Sequence, residues 1–260
     1  MKELVHRECG YLVGTYGSVK INLSTIDTLV KSSVEPDKLN KEEIRKDLFN
    51  LLTIPMEWLI NHTIRAKTLA IRCLWEAHQL HRIGDSNWVR ILGWAYHYIA
   101  DWATPHHSPT SNANQVPILM GLGSILGGFL GGIARSSGSL EDTLKGIAQG
   151  ALVGTTILGG VGIIGLIIDH SEFEDICDIR WVKNVDLIKQ RFITQTENQI
   201  LHISFEENLS LFDLKMNDLR NECNALSSDW IHSSNSLTFA EYMVNIALLI
   251  DFATLFVTTC

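Results

Sequence analysis

Residues 117–134 and 146–168 contain no charged residue, although 19% of the 260-residue chain is charged. Glycines recur at every fourth position in both: Gly123, Gly127 and Gly131, then Gly146, Gly150 and Gly154. Small residues at that interval lie on one helix face and let two backbones approach closely, as in membrane helix pairs. As helices the stretches extend for roughly 27 and 35 Å, near the thickness of a bilayer's hydrocarbon core. The polar sequence RSSGSLEDTLK between them reads as a turn. Residues 117–168 are therefore expected to form an apolar helical hairpin that touches a membrane. A glycine-rich hairpin buried inside a soluble protein, or used as an oligomer contact, is the alternative.

The rest of the chain reads as all-α. Asn40 followed by Glu43 has the pattern of a capping box opening a helix to about Leu52. Pro55 suits a first helical turn, with a long helix from Met56 to Leu80. Gly84 is the expected C-terminal cap, and Asp85 or Ser86 the start of the next helix, Asn87 to Ala103. That helix ends before Pro105, because the residue preceding a proline avoids the helical region. Two or three more helices follow from Asp169 to Thr258. One helical domain, residues 1–116 and 169–260, is thus interrupted by the hairpin at 117–168.

Net charge is −8, with 21 Lys+Arg against 29 Asp+Glu and no basic run, so a nucleic-acid partner is disfavoured. Five scattered cysteines without a Cys-x-x-Cys pair point to free thiols in a reducing compartment. The N-terminal MKELVHRECGYLVG lacks the apolar core and cleavage site of a signal peptide. Membrane association with the catalytic helices on the cytoplasmic side is the expectation.

Metal chemistry is suggested by WAYHYIADWATPHH, Trp94 to His107. His97 and Asp101 are four apart and share a helix face, and His107 follows on the turn that Pro105 stiffens. An unpaired aspartate in a helix of Trp, Tyr, Ile and Ala would cost several kcal/mol to bury, so a cation must compensate it. Arg90 is the one basic residue near on that face. Gly93, one turn before His97, leaves the stripe open. Downstream, HSEFE supplies His170 and Glu174 at the same spacing. Imidazole nitrogen and carboxylate oxygen are zinc donors, and a catalytic zinc site keeps one position open for water. His78 and His81 read as surface histidines.

The phrase HYIADWATPHH, with His, three residues, Asp, five residues and His, resembles the signature of the zinc-dependent phospholipases C and the related fungal single-strand nucleases. Those families continue with His, three residues, then Glu or Asp, and here His170 and Glu174 stand in that order. The likeness covers about 20 residues directly. It implies an Asp and a His about fifteen apart ahead of the main motif, which Asp47 and His62 match. It also implies a zinc held by the N-terminal amine and a nearby His. His6 fits, although Met1 stands where secreted members expose a processed Trp. The segment between His107 and His170 is longer than the family's usual loop because the hairpin is inserted there.

The resemblance implies a phospholipase C/nuclease-like helical bundle carrying two or three zinc ions. His97, His62 and possible ligand Asp47 would hold one ion, Met1 and His6 another, with Asp101 bridging. His107, His170 and Glu174 would hold the third. Asp47 and Glu174 are both candidates for proton acceptor. Phosphodiester hydrolysis is expected, most readily of a membrane phospholipid. A zinc-dependent single-strand nuclease and a non-catalytic membrane protein with a structural zinc site are the alternatives. Self-association through the glycine-rich hairpin is a further expectation.

Overall fold

The computed structural model describes residues 3–37, 62, 65–104, 149, 175–196, 204–226 and 236–260. By contacts the chain divides into two units, Met1–Ser108 with Phe173–Cys260, and Pro109–Glu172. The expected 117–168 hairpin falls in the second, where Gln149 alone is described, so its helices, bilayer contact and self-association lie outside the described residues. The Asn40–Glu43 capping box and most of the Met56–Arg65 region do as well.

The fold is all-α, with no strand among the described residues. In chain order the helices are α1 (Glu3–Tyr16), α2 (Leu23–Ser32), α3 (Ala66–Arg82), α4 (Trp88–Ala103), α5 (175–196), α6 (Phe205–Leu226) and α7 (Ser236–Thr259). α2 starts at Asn22, whose side-chain oxygen accepts the Thr25 N–H at 2.9 Å. An asparagine there satisfies a donor that the helix leaves without a partner.

α3 and α4 pack against each other, joined by a tight turn. Gly84 sits at φ +74°, its N–H donating to the His81 carbonyl, while Asp85 N–H reaches back to Leu80. That is a Schellman ending, and the positive φ accounts for the glycine. Asp85 Oδ1 accepts the Asn87 N–H at the entry to α4. At the other end Thr104 is extended, ψ 126°, as expected ahead of Pro105.

α7 runs through the core. Phe239, Met243, Ile246, Ile250, Ala253, Phe256 and Val257 are fully buried, as a helix that is apolar on every side must be. Each large side chain removed from water contributes about 1.5–3 kcal/mol. Thr238–Thr259 is long and apolar enough to cross a membrane, yet 72% of its apolar window is buried inside the protein. It also carries Asp251, which accepts hydrogen bonds from the main-chain N–H and hydroxyl of Ser18 beyond the end of α1. These are the marks of a core helix.

Candidate metal centre

His97 and Asp101 project from the same face of α4, with His97 Nε2 3.0 Å from Asp101 Oδ2. Neither is exposed to solvent. His62 Nδ1 makes a very short contact with the same Asp101 oxygen and lies 3.1 Å from His97 Nε2. His6, on α1, brings Nε2 to 3.6 Å from Asp101 Oδ1 and stacks on the His97 ring, centroids 4.3 Å apart. Three buried imidazoles from separate parts of the chain therefore converge on one buried carboxylate.

Asp37 is a fifth donor, and sequence reasoning missed it. Its Oδ1 lies 3.8 Å from His97 Nε2 and 3.9 Å from His62 Nε2. Asp47, which family spacing favours, lies outside the described residues. Asp37 reaches the centre because the segment before it is held: Glu35 Oε2 accepts from Arg90 Nε at 2.7 Å and from Trp94 Nε1 at 2.9 Å, and Pro36 is buried. Arg90 is thus the partner of Glu35 and not, as its position suggested, of Asp101. The only sequence signal for Asp37 is an acidic residue preceding His62.

The α2–α4 crossing aims His97. A Cβ on Gly93 would stand 2.5 Å from Ser32 Cβ and 2.9 Å from the Leu29 carbonyl, so glycine is needed for the helices to meet. That approach brings the Ser33 carbonyl 2.9 Å from His97 Nδ1. A carbonyl only accepts, so Nδ1 carries a proton and Nε2 is the nitrogen that faces the centre. Fixing the tautomer through the second ring nitrogen is a common feature of metal-binding histidines.

Burial by itself would raise the Asp101 carboxyl, but the charges of His97 and His62 outweigh it and hold it well below the usual carboxylate range. Burial, then the His97 charge, drives the His6 imidazole well below its ordinary value. Burial opposes protonation of His97 too, yet Asp101 and Asp37 raise it overall. An anionic Asp101 beside a neutral His6 is the protonation state in which such groups bind metal. Tyr98, edge-on to His97 with centroids 5.4 Å apart, closes one side, its hydroxyl pushed up by burial.

Two donor triplets, His6–Asp37–His97 and His62–His97–Asp101, have all their ligand atoms within 4.8 Å of one another, and so have the chemistry and spacing to hold a metal ion. Both ring nitrogens of His6 are buried and make no hydrogen bond among the described residues. Leaving a buried polar atom unsatisfied costs about 1–3 kcal/mol, and a cation within the cluster removes that cost. His6, His62, His97 and Asp101 are thus brought together. His107, His170 and Glu174 lie outside the described residues.

His78 differs from the expectation of a surface histidine. It is 3% exposed and stacked on Phe205 at 3.9 Å between centroids, because α6 and the end of α7 cover that part of α3. His81 is half-buried, edge-on to Trp88. Cys9 and Cys73 are free thiols, as their scatter suggested.

No family model, curated protein or solved structure matches this chain.

Proposed function

We propose that this protein is a zinc-dependent phosphodiester hydrolase acting on membrane phospholipid, in the manner of a phospholipase C. The observation that carries the reading is the convergence of His6, Asp37, His62 and His97 on the buried Asp101. A purely structural core has no use for three buried imidazoles around one carboxylate. The donor set is nitrogen and oxygen only, which suits zinc. His107, His170 and Glu174 complete the set in this reading, for two or three ions in all.

Bound zinc supplies Lewis acidity toward phosphoryl oxygen and lowers the pKa of water toward neutrality. The protein's own groups do the rest. Asp101, with one carboxylate oxygen toward His62 and His97 and the other toward His6, would hold metal together with those histidines. His97 is held in its binding tautomer by Ser33. Glu174 or Asp47 would accept the proton of the attacking water, as the resemblance implies. Burial of the histidines lowers the local dielectric and so strengthens their interaction with a cation.

Lipid is favoured over nucleic acid by two sequence features, the net charge of −8 and the charge-free stretches at 117–134 and 146–168. An apolar hairpin at a bilayer would hold the protein at the membrane, where phospholipid lies, with the catalytic helices on the cytoplasmic side. The test is a paired assay of zinc-loaded protein on phosphatidylcholine vesicles and on single-stranded DNA. Release of a phosphorylated headgroup from vesicles, lost in Asp101→Ala, is the expected result. Cleavage of DNA alone would make it a nuclease, and cleavage of neither by zinc-loaded protein would make the centre structural.

A further inference from the structure

Three successive carbonyls at the end of α4 are gripped by side chains from two other helices. Arg220, on α6, donates through Nη1 to the Trp102 carbonyl and, at 3.3 Å, to that of Thr104. Tyr242, on α7, donates its hydroxyl to the intervening Ala103 carbonyl at 2.6 Å. The Trp102 indole N–H donates in turn to the Met216 carbonyl of α6 at 3.0 Å, and the Arg220 guanidinium lies 4.5 Å from the Trp102 ring centroid. Higher on α4, Tyr96 shares a hydrogen bond with Thr254 of α7.

The last carbonyls of any helix lack intrahelical partners, and water or a glycine cap serves at most helix ends. Here a guanidinium 5% exposed and a tyrosine 3% exposed take that role. A cation is favourable at a helix C-terminus, and Nη1 of Arg220, with two N–H donors, serves both carbonyls. The grip sits beside the metal centre: Asp101 immediately precedes Trp102, and its carbonyl accepts the Thr104 N–H at 3.0 Å. Besides His97 and Asp101, the donors of the cluster are borne outside α4, His6 on α1, Asp37 beyond α2 and His62 ahead of α3. The geometry of the cluster therefore depends on the axial position and rotation of α4.

We propose that Arg220 and Tyr242 are positioning residues for the metal centre: by locking the end of α4 to α6 and α7, they set how far His97 and Asp101 reach toward His6, Asp37 and His62. The proposal rests on the reading that the centre binds zinc. Partners hydrogen-bonded directly to metal ligands are worth tenfold to a hundredfold in metal affinity, and a grip acting one step further out, through the main chain of α4, belongs at the lower end of that range.

The test compares Tyr242→Phe, Arg220→Lys and Arg220→Met with the wild type in zinc affinity, by chelator competition, in the visible spectrum of the cobalt-substituted protein, and in Tm. Tyr242→Phe keeps the ring and removes one hydrogen bond. It is expected to weaken zinc by on the order of tenfold and to alter the cobalt spectrum, with a fully folded protein. Arg220→Lys should fall between wild type and Arg220→Met, because an ammonium keeps a charged donor at the helix end but loses the planar guanidinium packed on the Trp102 ring. Lower Tm with unchanged zinc affinity and cobalt spectrum in the folded variants would overturn the proposal and leave the grip a helix cap. Should Arg220→Met fail to fold, Tyr242→Phe and Arg220→Lys decide. A wild type that binds neither zinc nor cobalt would refute the functional reading itself, whereas a wild type that binds with unaffected variants would refute the positioning role alone.

Discussion

The Ser33 carbonyl lies 2.9 Å from His97 Nδ1, so the end of α2 decides which nitrogen of the central histidine faces the metal centre. That contact exists because α2 and α4 cross at Gly93, where a side chain has no room. Gly93→Ala should push the helices apart and cost about 1–3 kcal/mol of stability, the range for overpacking a tight site. Zinc affinity should fall with it. Urea unfolding and chelator competition measure the two effects.

Glu35→Gln separates stability from site geometry. The Glu35–Arg90 pair is partly exposed, so its loss should cost no more than about 1 kcal/mol. The same change loosens the segment that carries Asp37 to within 4 Å of His62 and His97. Zinc affinity should therefore fall on the order of tenfold or more while the Tm barely moves. Isothermal titration with zinc beside a melting curve would show it.

The visibility of these features in the sequence depended on how local their causes are. α4 was legible from its apolar periodicity, its glycine turn at Gly84 and its stop before Pro105, all set by neighbours in the chain. His97 and Asp101 were legible because helical spacing alone puts them on one face. Asp37 was not, because it reaches the centre through Glu35, Arg90 and Trp94, which are brought together only by the α2–α4 crossing. His78 looked like a surface residue for a similar reason: its cover comes from Phe205 and the end of α7, distant in sequence. Asp251, set between Ile250 and Phe252 in α7, accepts from Ser18, more than two hundred positions away.

Asp251 provides a pH test away from the metal centre. Burial raises its carboxyl pKa, and the two hydrogen bonds from Ser18 only partly oppose the rise. A folded pKa above the unfolded one means that the native state holds its proton to higher pH. Between the two values the native state binds more protons, so stability falls as pH rises through that window, just above the ordinary carboxylate value of about 3.9. Asp251→Asn removes the titrating group and should flatten that part of the stability profile. Urea midpoints measured across the window, for wild type and variant, would reveal it; equal slopes in the two proteins would show that Asp251 does not titrate there.

Removal of the Asp101 charge should affect binding more than shape. Asp101→Asn is nearly isosteric but deprives three buried imidazoles of their nearest carboxylate, so the variant should lose zinc by a factor of a hundred or more, on the order of 3 kcal/mol. Circular dichroism should still report a helical protein. Retention of wild-type zinc affinity would show that Asp101 is not a ligand.

The most direct measurement is the zinc content of the folded, full-length protein after equilibration with zinc and exhaustive dialysis, by elemental analysis, for wild type and His97→Ala. The account predicts two or three zinc ions per wild-type chain and fewer in the variant, because His97 belongs to both donor triplets. A folded wild-type protein that retains no zinc, or a His97→Ala protein that retains the full complement, would contradict it.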